Sequence, residues 1–276
     1  MTVLSGSKLP PLLQAIHGPP EKLHLRGDGD PGLLASVAVA VVGARACSSY
    51  GRQVARMIGR ELAAAGVVVV SGLARGIDGA AHRGALEAGG CTVAVLGCGI
   101  DRIYPAEHAS LAHQIEERSL IVSEYEPGIE PSPWRFPARN RIVAGLCAAT
   151  VVVEAREKSG ALITADFALE EGREVFAVPG EITSRLSDGT NALLRLGATP
   201  LTSAADVLES LGIRPREHRT PQLSDPASAL LERLPATVDE LVRSSGIPAA
   251  AVAAALAELE LAGAAAEGEG FCRALA

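Results

Sequence analysis

Short runs of β-branched residues, most running into a glycine or serine and then a helical pattern, recur along the first three quarters of the chain and leave few folds open. "VAVAVVG" (Val37–Gly43) offers water no polar side chain on either face, which suits a strand covered on both sides, as in parallel sheets. A helix is expected from about Ser49 to Ala65, with Ser48 or Ser49 as its cap, Gly66 as its stop and Val54, Ile58 and Leu62 as its inward stripe. "VVVVS" (Val67–Ser71) is the next strand, so the unit is βαβ. It repeats: strands at Cys91–Gly97, Leu120–Glu124, Thr150–Ala155 and Glu174–Gly180 alternate with helices at Asp78–Ala88, at Ala106–Glu117, from near Pro137, and at Leu162–Glu171. That alternation predicts an α/β fold with a doubly wound, mostly parallel sheet and right-handed crossovers. Ligands of such sheets sit at the carboxyl ends of the strands, among the glycine-containing turns.

The flanks read differently. Residues 1–35, rich in proline and glycine, are expected to form an extended entry segment with at most a short helix around Leu12–Ile16. The α/β domain is expected over 36–212, and the proline- and charge-rich stretch at 213–225 reads as a linker. Within 226–276 three short helices are legible: Ala227–Leu234, one opened by the capping-box spacing Thr237 to Glu240 and ended by Gly246, and Pro248–Leu261. A wing from Gly263 onward would complete a winged helix-turn-helix pattern.

Composition narrows the function. No segment holds ~18 uninterrupted apolar residues, which argues against a membrane span, and "MTVLSGSKLPPLLQ" lacks the basic and apolar regions of a signal peptide. A cytoplasmic protein is expected. The five cysteines are odd in number and scattered, without a CxxC pair, and read as reduced thiols, not a metal site. The net charge of −7 weighs against a nucleic-acid partner only until the cations are located. "WRFPARNR" (Trp134–Arg141) puts three arginines and two of the chain's eight aromatics together with no carboxylate among them.

The turns supply further candidates. After the first strand, "GARACSSYG" keeps Gly43 but has Arg45 where a dinucleotide-binding GxGxxG would have its second glycine. A backbone turn at a helix start plus one guanidinium is a phosphate pocket without base selectivity. "SGLARGID" sets Ser71, Gly72, Arg75 and Gly76 ahead of a helix that Asp78 would cap, with His82 one turn later. An Asp78–His82 pair is read as a hydrogen bond shaping the pocket, because no nucleophile stands beside it. "LGCGIDR" reads as a further tight turn, while Ser159-Gly160 and Gly189-Thr190-Asn191 repeat the strand-to-helix device. For "WRFPARNR" two readings stand, a solvated basic loop or an aromatic face beside guanidinium and amide donors. The second is the chemistry of single-stranded nucleic acid binding, in which bases stack on the ring and arginines hold phosphates.

"VVGARACSSYG", "SGLARGIDGAAH", "LGCGIDRIYP", "SEYEPG", "FPARNRIVAGL", "EAREKSGALITADFALEEGREVFAVPG" and "SDGTNALLRLGA" resemble, in order and spacing, the motifs of the DNA-processing protein A family, DprA or Smf. The resemblance covers roughly residues 9–211. It implies an extended Rossmann-like domain that binds single-stranded DNA, forms a homodimer and loads the recombinase RecA during natural transformation, with no catalytic residue, cofactor or metal. Carried over residue by residue, it implies DNA contacts at Gly43, Arg45, Ser71, Gly72 and Gly76, with Asp78 in the same turn, a base-stacking ring at Phe136, and Arg139, Asn140 and Arg141 touching DNA or bracing the pocket. Arg75, Ser159, Gly160 and Thr190 are added as candidates from their turns. Pro133 and Ala106 stand where some members have basic residues, and Arg135 is the candidate substitute for the first. Leu193 and Leu196 are dimer-contact candidates by family analogy alone. The helical N-terminal domain of many members is not expected here.

The C-terminal module resembles the winged helix appended to many members, but its charges argue against DNA reading. From Gln222 on, three cations (Arg233, Arg243, Arg273) face eight carboxylates, and "PAAAVAAALAELELAG" contains no basic residue. A recognition helix needs donors to phosphates and base edges, so a protein-interaction or dimer-supporting role is expected. The alternative for the whole chain is a nucleotide hydrolase of the related phosphoribohydrolase superfamily. Those enzymes carry PGGxGTxxE, whereas "KSGALITADFALEE" lacks the paired glycines and has Ala165 or Asp166 where the acid is sought.

Overall fold

The computed structural model describes residues 2–214, 223–262, 264–268 and 270–274. The chain divides into two compact units, Met1–Arg216 and Glu217–Ala276.

In the first unit, the run expected as a strand is β3 (Ala38–Val42), and all five residues are buried. Around it stand β4 (Val68–Ser71), β5 (Thr92–Val95), β6 (Leu120–Ser123) and β7 (Ala149–Val152), all buried throughout, then β8 (Glu174–Ala177) and the two-residue β9 (Thr199–Pro200). The nine-stranded order is β1-β2-β6-β5-β4-β3-β7-β8-β9. From β6 to β9 all pairings are parallel. The continuous apolar runs are explained by helices on both faces. Ala38, Ala40 and Val42 join one core with Ile142, Ala165 and Leu193, while Val39 and Val41 join another with Ile58, Leu62, Ala81 and Val207. Each fully buried valine or leucine contributes about 1.5–3 kcal/mol, so neither face tolerates a polar insertion. The doubly wound, mostly parallel, Rossmann-like α/β sheet expected from the sequence is the architecture found.

Among the described residues, eight α-helices belong to this unit: α1 (Pro11–Gln14), α2 (Ser49–Ala64), α3 (Ile77–Glu87), α4 (Ala109–Glu116), α5 (Arg135–Gly145), α6 (Gly160–Glu170), α7 (Asp188–Arg195) and α8 (Ala204–Ser210). Ser48 caps α2, its hydroxyl accepting from the Gly51 N–H at 2.9 Å. α5 begins two residues before Pro137, which leaves the proline in the first turn, where its missing N–H has no partner to lose. Arg139 consequently falls in the second turn, not the first.

One difference lies at the chain start. Residues 1–35 are more than an entry segment: β1 (Thr2–Ser5) and β2 (Lys22–Arg26) form an antiparallel pair whose inner strand joins β6. "KLHLR" carries a weak strand signal because it is short, lies between prolines and glycines, and buries a histidine, His24, in place of a third aliphatic.

The second unit holds α9 (Asp225–Leu231), α10 (Val238–Ser245) and α11 (Ala249–Leu261), followed by the hairpin β10 (Ala265–Gly268) and β11 (Phe271–Ala274). Thr237 and Glu240 form the expected capping box, and Gly246 ends α10 at φ +69°. Leu230, Leu241, Val252, Leu259 and Cys272 form its small core. Of the expected linker, 215–222 lies outside the described residues, as does Gly263 at the start of the wing.

Candidate nucleic-acid interface

The chain winds from β3 outward through β4, β5 and β6, then returns to lay β7 against the other side of β3, with Val42 paired to Val152. Ligands of such sheets bind where the order reverses, and a pocket of about 380 Å³ opens there. Gly43 follows β3, where a Cβ would lie 2.6 Å from Ile77 Cγ1 and 2.9 Å from the Glu154 carbonyl oxygen. Only glycine lets the backbone run this close. Gly72 follows β4, where a Cβ would sit 2.8 Å from Asp78 Oδ2 and collide with the Arg139 guanidinium. Ser159, past β7, caps α6. Arg45, Asp78, Phe136, Arg139, Asn140 and Gly160 complete the expected residues on the wall, and Val42, Ala74, Pro137, Val143, Ala161 and Thr164 are there unexpected.

The wall has a rigid floor and an open mouth. Asp78 Oδ2 accepts from the N–H groups of Gly72 (3.1 Å) and Ala74 (3.3 Å). Burial pushes the Asp78 carboxyl upward, and Arg139 with those two N–H groups pulls it back. Arg139 is 4% exposed and donates to the carbonyl oxygens of Gly72 (2.8 Å) and Val95, tying the β4 and β5 ends to α5. Burial lowers its pKa to about 10, which leaves it a cation at neutral pH. Asn140 Nδ2 donates to Gly160 O at 3.0 Å, joining α5 to the start of α6.

At the mouth, the half-buried Phe136 ring has the Arg45 guanidinium carbon 5.4 Å from its centroid. Arg45 is exposed and forms no ion pair among the described residues. The Tyr104 ring, 46% exposed, lies 5.2 Å from the Phe136 ring at a 30° tilt. Gly97 seats that ring, since a Cβ there would come within 2.8 Å of Phe136 Cδ1. An aromatic step, a free guanidinium and a braced cationic floor together suit a flat, anionic, extended ligand.

The family model for DNA recombination-mediator protein A matches residues 1–212, and the model for the DprA winged helix domain matches residues 214–270. The chain belongs to the DprA family. The DNA processing protein DprA of Streptococcus pneumoniae is 48% identical over 196 residues, 71% of this chain and 68% of that protein. The putative DprA of Mycobacterium tuberculosis H37Rv is 46% identical over 238 residues, 82% of this chain and 61% of that protein. The X-ray structure of the S. pneumoniae DprA superposes with a TM-score of 0.72 at 45% identity, covering 75% of this chain and 73% of that one. A Helicobacter pylori structure, which bears on the single-stranded DNA binding mode of its DNA processing protein A, superposes with a TM-score of 0.69 at 32% identity, covering 76% and 96%. The chain thus spans about two thirds of the curated DprA relatives' length.

Several expected DprA positions lie away from the pocket mouth. Ser71 is fully buried and donates its hydroxyl to Val41 O, and Thr190 is buried with its hydroxyl on Ser187 O. Both brace the interior. Gly76 turns the chain at φ +74° into α3 under Ala44 and Arg45 but does not line the pocket. Arg75 pairs with Glu107 at 2.6 Å. Arg135 donates to Glu130 O and stacks on Trp134, 4.7 Å from the ring centre, and on Tyr125. Arg141 holds Glu124 with two bonds of 2.8 and 2.6 Å and also reaches Gly18 O. The expected Asp78–His82 bond is not made. Thr92 Oγ1 donates to Val69 O, so its lone pair accepts from His82 Nδ1–H at 2.6 Å, and burial drops the His82 pKa to about 3. Leu193 is 6% exposed in its own core and has no surface for a partner, whereas Leu196 is 85% exposed. Tyr104 was missed as a site residue, although "RIYP" follows the turn after β5, at the same sheet end as Phe136.

Proposed function

We propose that the chain binds single-stranded DNA without sequence preference at the β3/β7 switch point and acts there as a recombination mediator, not as an enzyme. The observation that carries this is the Arg45–Phe136–Tyr104 cluster at the pocket mouth: a partly exposed ring pair beside a cation with no ion-pair partner among the described residues. Bases would stack on Phe136 and the neighbouring Tyr104 edge while Arg45 engages a phosphate, and Arg139 would contribute field from beneath without leaving its carbonyl partners. Asn140, Ser159 and Gly160 would follow the backbone along the α6 start. The reading agrees with the subject of the H. pylori relative's structure.

As the family resemblance implies, the bound strand would be handed to RecA in the cytoplasm by a homodimer that uses the surface around the exposed Leu196, not the buried Leu193. The hydrolase alternative finds little support. Among the described residues Asp78 is the one carboxylate lining the pocket, and its Oδ2 is held by two backbone N–H groups, while Asp166 is not on the wall. Titration of a labelled oligothymidylate across a salt series, with a duplex of the same length as control, tests the proposal. Tight, salt-sensitive, single-strand-selective binding is expected, and equal or absent binding of the single strand would sink it. Release of free base from nucleoside monophosphates would revive the alternative.

A further inference from the structure

Glu154 lies two residues past β7 and 6% exposed, with its carboxylate turned from the pocket toward the turn that carries Arg45. One oxygen accepts from the Ser48 N–H at 2.9 Å and the other from the Ser48 hydroxyl at 2.5 Å. The same hydroxyl accepts from Gly51 N–H, so the chain Glu154–Ser48–Gly51 runs from the end of β7 into the first turn of α2. Helix α2 approaches so closely that a Cβ on Gly51 would collide with the Glu154 carboxyl carbon. The other end of the turn rests on the same residue, because Gly43 lies against the Glu154 carbonyl oxygen. The segment 43–48 is therefore held at both ends by one residue of the neighbouring strand, and Arg45 is at its middle.

We infer that Glu154 is a positioning residue for single-stranded DNA binding, holding the 43–48 turn so that Arg45 reaches phosphate at the mouth beside Phe136. The inference rests on the proposed DNA site. Its physics opposes the simple electrostatic expectation. A carboxylate next to an anion site ought to weaken binding, and its removal ought to tighten it. If the carboxylate instead sets the turn, its removal weakens binding, because the freed segment must be ordered again when DNA arrives. The carboxylate also occupies the N-terminus of α2, so at this turn phosphate recognition falls to Arg45 and not to the helix end.

The test measures oligothymidylate affinity and its salt slope for Glu154→Ala, Glu154→Gln and Ser48→Ala, each combined with Arg45→Ala or Phe136→Ala. Glu154→Ala is expected to weaken binding about tenfold, the scale of one charge-assisted contact. It should add nothing in the Arg45→Ala background yet act in full in the Phe136→Ala background. Glu154→Gln, which keeps one acceptor for Ser48, should bind more weakly than the parent although it has lost a negative charge. Ser48→Ala, which leaves β7 untouched, should reproduce part of the loss if Glu154→Ala folds poorly. Tighter binding by Glu154→Gln, or equal additivity in both backgrounds, overturns the inference. Loss of the Phe136→Ala effect itself would instead indict the DNA site.

Discussion

The guanidinium carbon of Arg45 stands 5.4 Å from the centre of the Phe136 ring, a cation placed on the surface that a base would need. At an exposed site such a contact is worth about 0.5–1 kcal/mol, whereas base stacking on an aromatic ring is worth about 1–3 kcal/mol. On the proposed site a base would therefore win the ring, and the displaced guanidinium would be left beside the nucleotide's own phosphate.

Two substitutions separate those roles. Phe136→Ala is expected to weaken oligonucleotide binding by roughly 5- to 150-fold with an unchanged salt slope, since stacking is uncharged. Arg45→Ala should weaken binding and lower the slope of log K against log salt by about 0.7, the share of one phosphate on a single strand. Fluorescence anisotropy at several salt concentrations reads both, and a slope change with Phe136→Ala would contradict the division.

Gly97→Ala is expected to mimic Phe136→Ala without removing the ring. The new Cβ, 2.8 Å from Phe136 Cδ1, must push the ring off its seat. Affinity should fall severalfold while Arg45 keeps its salt slope. Parent-like affinity in a folded Gly97→Ala protein would mean the ring's seat is unimportant.

His82 makes stability sensitive to acid. Its folded pKa of about 3 lies below the unfolded value of about 6.5. The unfolded state therefore binds the proton first. Stability attributable to the neutral ring is complete above about pH 6.5 and drains away as pH falls toward 3, by a few kcal/mol in total. Urea denaturation at pH 7 and pH 5 should show a smaller difference for His82→Gln than for the parent, and identical differences would exclude His82 as the source.

Arg141 is expected to matter for folding more than for DNA. Its two bonds to Glu124 lie in a partly buried place, and Arg141→Ala should cost about 1–3 kcal/mol of stability while the DNA salt slope stays at the parent value. Native-state denaturation and the salt series together decide whether it is a brace or a phosphate contact.

Deleting the chain after Pro221 should leave single-stranded DNA affinity unchanged or slightly improved, because the removed part carries eight carboxylates and three arginines. A large loss of affinity in the truncated protein would assign DNA contacts to the winged helix after all.

Much of the parallel sheet was legible because β3 to β7 are buried and mostly apolar and β3 to β6 end within two residues of a glycine or serine, a pattern with few other uses. β1 and β2 were not, since short strands with polar or charged ends carry no such pattern and are made by pairing, β1 with β2 and β2 with β6. At the site, Gly43, Arg45, Gly72 and Phe136 could be read from turn chemistry and motif. What spacing could not convey is where a side chain points. Arg139 and Arg141 stand two residues apart, yet one faces inward to backbone carbonyls and the other sideways to Glu124. Arg135, a natural candidate for phosphate, is turned onto Trp134. Tyr104 was hidden because its partner ring is distant in sequence.

The pairing of β3 with β7 also bears on synthesis. Arg45 leaves the ribosome long before Ala149–Val152 and Phe136 only shortly before, yet the wall that joins them includes Ser159, Gly160 and Thr164. A growing chain thus carries its ring and its cation early but has no cleft to put them in until β7 has slid in beside β3 and α6 has followed. Stalled or clipped products that stop short of α6 would lack the wall of the proposed site and would be inert toward DNA, whereas a chain complete through the α/β unit would already have it.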